Sequence, residues 1–314
     1  MNYLKYLILW VGLILPNLTL AADAEEGQDF PKYMGFVRSP YNAVQLLGAQ
    51  VLTVDEAWVE SQLPRQASVT HNLHGFGILE QESLGACTAN AASGALWGTH
   101  MQNGVEPLHL ARLPLYYWSR EKMAERGDVT ATQRDTGASL YDVTVVLREI
   151  GYLPEERAPY NVAAFTTKPT VKVKAEAAKH KVSDEMGVAW VGPDVRAAQV
   201  ALANGLPVVF GMTIHQSFLH LGSDGVVEMP TWRDRQAGGH AMILTGYDAD
   251  REVFMLQNSW GPRWGKKGTA EISFAHWAAY ASEAWAYHRV TGAPEAGELL
   301  QGMTLESAPE DFAI

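Results

Sequence analysis

One cysteine, Cys87, occurs in the whole chain of 314 residues, and this constrains the fold before any pattern is read. No internal disulfide can form, so the native state must rest on a hydrophobic core. The composition provides for one: 47% of residues are hydrophobic, which at this length suits one domain of two lobes or two small domains. Cys87 ends the string Gln81-Glu82-Ser83-Leu84-Gly85-Ala86-Cys87 and precedes a run of small residues closed by Leu96 and Trp97. That run reads as a buried helix starting at or beside the cysteine, with Gly85 allowing a tight entry turn. A sulfur at a helix N-terminus meets unpaired N–H groups and the positive end of the dipole, both of which favour a thiolate. The plain alternative is a small buried core residue.

The first residues change the weight of that alternative. Lys5 is followed by an apolar run broken at Pro16, with small residues at Ala21, Ala22 and Ala24. This is the pattern of a secretory signal over residues 1–22, too short for a bilayer span of about 20 apolar residues. The expected localisation is exported, periplasmic or secreted, with no membrane insertion once the signal is cleaved. Exported proteins use cysteines in pairs, and an unpaired thiol there is a liability unless it has a task. The net charge of −11 argues against a nucleic-acid partner. Most of it sits on the flanks, where nine acidic residues between Asp23 and Asp29 and between Glu295 and Asp311 meet no Lys or Arg.

Residues 23–62 read as an N-terminal extension or short pro-segment, with an apolar-spaced stretch at 41–52 expected as helix and one at 54–63 as strand. About 40 residues cannot hold a core of their own, so the segment must pack on the adjoining domain or stay loose. From 63 to about 165 the pattern is helical, with apolar spacing over 108–126 and over 139–150. Residues 166–181 carry five lysines against Glu176 and read as a solvated crossover. Beyond Pro193-Asp194, which opens a short helix, the period changes to strands at 208–214, 241–247, 253–257, 269–273 and 284–290, antiparallel in character. Residues 291–314 are expected to be an acidic tail.

A cysteine nucleophile needs a base, and the base needs an orienting group. His240 stands out among ten histidines because Gly238-Gly239 precede it and a strand comes after it. Asn258, in Gln257-Asn258-Ser259-Trp260-Gly261-Pro262-Arg263-Trp264-Gly265, can accept from the imidazole, and Trp260 can shield that bond. A thiol on a helix and a His–Asn pair on strands meet only across a cleft.

In these motifs the chain resembles the papain-like cysteine peptidases over roughly residues 63–290, most closely a bacterial branch. Cys87 lies six positions after Gln81 and 153 before His240, close to the interval of about 130–150 residues in that family. The resemblance implies an α+β fold of two lobes: a helical lobe, about 63–165, and an antiparallel β-barrel-like lobe, about 166–290, with the active site in the cleft between them. It implies an exported endopeptidase acting on protein or peptide through a thioester acyl-enzyme. Cys87 would be the nucleophile, His240 the acid/base, Asn258 the orienter and Gln81 an oxyanion donor, with Gly137, Gly239 and Trp260 lining the substrate. Departures are Glu82 where glycine is usual, Leu84 for a cysteine, Thr88 for a tryptophan and Thr136 for a glycine. A thiolate formed well below pH ~8.5 is expected, with the Glu82 charge opposing it. No cofactor and no metal are expected; His71 and His74 lack further ligands. The competing functions are a catalytically inactive adaptor on the same fold and a cell-wall amidase.

Overall fold

The computed structural model describes residues 34–182, 187–293, 301–309 and 312; the stretch expected as a signal sequence and the start of the expected extension lie outside them. In chain order the elements are α1 (Ala43–Leu47), β1 (Gln50–Val54), α2 (Glu56–Gln62), β2 (Gln66–Ser68), α3 (Cys87–Gln102), α4 (Arg112–Glu125), α5 (Leu140–Glu149) and α6 (Val171–Ala177). Then come β3 (Val188–Trp190), α7 (Val195–Ala203), β4 (Val208–His215), α8 (Gln216–Leu219), β5 (Val226–Val227), β6 (Gln236–Asp248), β7 (Val253–Gln257), β8 (Thr269–Ser273), α9 (Phe274–Tyr280), β9 (Ala281–Tyr287) and β10 (Met303–Ser307).

Helix α3 begins at Cys87, where the small-residue run placed it, and is buried from Cys87 to His100. Its small side chains let the sheet come close: a Cβ on Gly94 would lie 2.9 Å from Ile243, and one on Gly98 would lie 2.4 Å from Pro207. Local chemistry sets the other helix starts. Ser139 caps α5 by accepting from Asp142 N–H, and Asp194 caps α7 by accepting from Ala197 N–H, each satisfying a donor the first turn leaves open. Helices α3, α4 and α5 form one lobe. The strands run in the order β10-β1-β3-β9-β4-β6-β7-β8-β5, with β2 beside β6, antiparallel except at β1–β3 and β5–β8.

Three expectations are corrected. Residues 41–52 are not one helix, because Gly48 at φ 57° ends α1 and the chain turns into β1. Residues 54–63 are mostly helix α2, capped by Asp55, rather than strand. The stretch 291–314 is not simply a tail: β10 pairs along the whole of β1, from Gln50 with Ser307 to Val54 with Met303. The extension and the C-terminal segment therefore complete the sheet beyond β3.

Candidate active site

The structure brings Cys87, His240, Asn258 and Gln81 together between the lobes. Cys87 opens α3, and the backbone of Ala241, next to His240 on β6, points at its sulfur. His240 Nε2 and Asn258 Oδ1 are 2.7 Å apart, so the imidazole carries its Nε2 proton toward the amide oxygen. Trp260 stacks on the His240 ring at 4.5 Å with an interplanar angle of 29°, and Phe218 meets it edge-on. Gln81 is fully buried. Its Oε1 accepts from Ser259 Oγ at 2.7 Å and its Nε2 donates to Leu84 O at 2.9 Å, so the amide orientation is fixed from both ends.

Gly137 has φ 74° and lies in the loop before α5. Its N–H donates to Tyr116 Oη at 3.0 Å, and that hydroxyl donates to Asp135. Asp135 also accepts from Gly85 N–H, at 2.9 Å through Oδ2. One carboxylate thus ties the loop before Cys87 to α4 and to the Gly137 loop. Neither Asp135 nor Ser259 was assigned a part from sequence, although Asp135 sits two residues before Gly137.

The cleft is occupied by the chain's own N-terminal extension. Residues 34–39 run through it as an extended peptide bonded to both lobes. Ala138 N–H donates to Gly35 O at 2.8 Å, Val37 N–H donates to Ala138 O at 3.0 Å, and Phe36 N–H donates to Gly239 O at 3.2 Å. Glycines make the contact possible: a Cβ on Gly35 would lie 1.6 Å from Gly85 O, and one on Gly137 would lie 2.1 Å from Gly35 O. The Phe36 ring lies over Gly211, where a Cβ would meet it at 2.2 Å. Ser39 anchors the end of the strap, its N–H and Oγ donating to the buried Glu283 carboxylate at 3.0 and 2.7 Å. Burial raises the Glu283 pKa, against the pull of its bonds to Trp285 and Ser39.

This cover sets the electrostatics. Cys87 is wholly buried, and loss of solvent pushes its thiol up to about 11, although the backbone of Ala241, Gly35 and Thr88 acts in the other direction. Burial brings His240 down to about 4 despite the Asn258 bond. Both groups are neutral, and among the described residues His240 Nδ1 has no hydrogen-bond partner. The activated thiolate expected from the helix terminus is therefore absent in this covered state. Desolvation by burial outweighs the local dipole.

Cysteine-type peptidases are the proteins that combine such a fold with a thiol, an imidazole and a peptide-shaped cleft. A family model described as papain family cysteine protease matches residues 70–286, and the chain belongs to that family. It is similar to a peptidase C1-like protein of Acanthamoeba polyphaga mimivirus, 28% identical over 68% of this chain and 70% of the relative. A cathepsin B-like protein of Giardia intestinalis is 27% identical over 62% of this chain and 63% of its own length. Among solved structures, xylellain, a cysteine protease from Xylella fastidiosa, aligns with a TM-score of 0.71 and 25% identity, over 83% of this chain and 97% of that one. The fold is the papain-like α+β arrangement of two lobes.

Proposed function

We propose that this chain is an exported cysteine endopeptidase that uses Cys87, His240, Asn258 and Gln81, and that residues 34–39 hold it latent. The observation that carries the reading is the strap itself: the cleft over Cys87 already binds an extended peptide by its backbone, on Ala138 and on Gly239. Gly35 O is taken by Ala138 N–H and is not presented to the thiol. Once the strap leaves, water returns and the helix terminus and imidazole favour a thiolate–imidazolium pair.

In the reaction, the thiolate attacks a substrate carbonyl carbon and the oxygen gains charge beside Gln81 Nε2 and the Cys87 N–H. The C–N bond breaks as the His240 imidazolium protonates the leaving amine. His240 then takes a proton from water, which displaces the sulfur from the thioester and releases the acid. Asn258 keeps the ring in place through both steps.

The likeness to xylellain supports a place in a bacterial branch, and the apolar run with its small-residue exit supports export of a chain beginning near Asp23. No helix among the described residues is long and apolar enough to cross a membrane. The test is peptide hydrolysis and thiol labelling by the purified chain, with and without residues 23–39, beside Cys87→Ala. Cleavage that appears on removing the strap and vanishes in Cys87→Ala is expected. Labelling of Cys87 without cleavage of any peptide would favour an adaptor, and peptidoglycan turnover an amidase.

A further inference from the structure

The hydrogen bonds of the Asp135 carboxylate and the Tyr116 hydroxyl join two loops that a peptidase must hold in register. Gly85 N–H, two residues before Cys87, donates to Asp135 at 2.9 Å through Oδ2 and 3.1 Å through Oδ1. Tyr116 Oη donates to Asp135 Oδ1 and accepts from Gly137 N–H at 3.0 Å. Gly137 leads into Ala138, whose N–H donates to Gly35 O at 2.8 Å and whose carbonyl accepts from Val37 N–H at 3.0 Å. One loop therefore presents the thiol, and the other is the station where a peptide backbone docks. A carboxylate and a hydroxyl set the spacing between them.

The sequence offers no covalent fastener for the two loops, because Cys87 is its only cysteine. Gly85 suits the hydrogen-bonded one: a Cβ there would lie 3.0 Å from Asp135 Oδ1 and 3.2 Å from Gly35 Cα, so a bare residue lets both the carboxylate and a docked peptide come close. The far end of the linkage is rigid. Tyr116 and Arg120 are fully buried, and the Arg120 guanidinium lies 4.1 Å over the Tyr116 ring. Carbonyls of Ala131, Arg134 and Phe165 hold that guanidinium, and its charge and that of Asp135 attract each other. Burial, and after it the Asp135 charge, push the Tyr116 hydroxyl well above its ordinary pKa, so it keeps its proton and donates to the carboxylate.

We propose that Asp135 is a positioning residue for peptide hydrolysis: through Gly85 on one side and through Tyr116 and Gly137 on the other, it keeps a peptide docked at Ala138 in register with the Cys87 sulfur. It touches no reacting atom. Misplacing a docked carbonyl by about 1 Å slows attack by about a hundredfold, whereas a small reagent that needs no docking is indifferent to the register. The assignment rests on the peptidase reading above.

The test uses the full chain and two alkylating reagents with the same reactive group, a peptidyl chloromethyl ketone, which docks its backbone, and chloroacetone, which has none. Both reach Cys87 only when the strap is open, so the ratio of their rate constants cancels the covered fraction and the ionisation of the thiol. A general loss of stability does not move it either. In the parent the peptidyl reagent should be faster by more than about a hundredfold. Asp135→Ala should cut the ratio by roughly ten- to a hundredfold, the reach of one charge-assisted hydrogen bond, and Asp135→Asn, which keeps an acceptor for Gly85, should lie between that variant and the parent. Tyr116→Phe should cut it by about three- to tenfold. Added to Asp135→Ala, it should cost less than about twofold more, as two members of one linkage do. Asp128→Asn removes a carboxylate that, among the described residues, bonds Thr130 and Arg134, and should leave the ratio as in the parent. Where Asp135→Ala does not fold, Asp135→Asn and Tyr116→Phe carry the test. Parental ratios in the Asp135 and Tyr116 variants would overturn the assignment and leave the peptidase reading standing, and so would losses that multiply in full in the double variant. A ratio near one in the parent itself would overturn both.

Discussion

Substituting Gly35 by alanine should uncover Cys87. The new Cβ would stand 1.6 Å from Gly85 O and 2.2 Å from its carbonyl carbon, whereas unstrained contacts begin near ~3.4 Å, so one backbone must retreat by roughly 2 Å. Gly85 is the less free to move, because both Asp135 oxygens hold its N–H, at 3.1 and 2.9 Å. The strap must lift instead. A shift of that size breaks the three backbone bonds of Gly35, Phe36 and Val37 to Ala138 and Gly239, now 2.8 to 3.2 Å. At about 1 kcal/mol net each, the loss is about 3 kcal/mol, and the ratio of covered to uncovered states falls by about a hundredfold. The assay is iodoacetamide alkylation of Cys87 across pH, with peptide hydrolysis in parallel. At pH ~7.5 the alkylation rate should rise at least about tenfold, and its apparent pKa should fall below the free-thiol value of about 8.5. A Gly35→Ala protein that alkylates at the parental rate, with its rise still centred near the covered value of about 11, would refute the reasoning that the strap sets the state of the thiol.

Asn258→Ala removes the 2.7 Å bond that holds the imidazole and should lower kcat on a peptide substrate by roughly ten- to a hundredfold with little change in KM, the cost of one oriented hydrogen bond at about 1.5–3 kcal/mol. Arg126→Ala leaves Asp142 wholly buried without its cation, a carboxylate that still holds the cap of α5. A loss of about 3 kcal/mol and a Tm lower by roughly 5–10 °C are expected by calorimetry. His240 is held near 4, below its ordinary 6.5. It takes up a proton more readily once unfolded, so its share of stability is present above pH ~6.5 and is lost as the pH falls toward ~4, by about 3 kcal/mol at most. Urea unfolding from pH ~7.5 to ~4 should show a smaller loss for His240→Ala than for the parent.

What could be read from the sequence was what local chemistry determines. The small residues after Cys87 can only be accommodated where another layer comes close, and Gly94 and Gly98 now face Ile243 and Pro207. The order of Gln81, Cys87, His240 and Asn258 placed the site across two lobes, and the structure brings the four together. What escaped was non-local. Residues 34–39 have no pattern of their own, and their conformation is imposed by Ala138, Gly239 and, 244 residues from Ser39, by Glu283. In β10 the acidic, proline-flanked composition hid an edge strand whose partner, β1, is about 250 positions away. The thiol was misjudged for the same reason, because a helix terminus is visible in sequence and a covering peptide is not.

The two ends of the chain and the strap belong to one mechanical arrangement. β1 lies between β10 and β3, antiparallel to the first and parallel to the second, so residues 50–54 are an internal strand of the sheet and cannot leave without opening it. Further anchoring comes from Trp58 of α2, on which Gly302 packs so closely that a Cβ there would lie 1.9 Å from the indole. By contrast, residues 34–39 add no strand to the sheet; among the described residues they are held by backbone bonds to two loop and strand edges, by Ser39 on Glu283, and by the Phe36 ring over Gly211. Between strap and strand stands only α1, one short turn of helix with Tyr41 before it and Leu46 on it exposed. The extension is therefore divided mechanically: its first part can detach from the cleft while its second stays in the sheet. A lone thiol kept wholly buried and neutral under such a strap is shielded from oxidation and alkylation until the strap moves, which answers the liability that an unpaired cysteine poses.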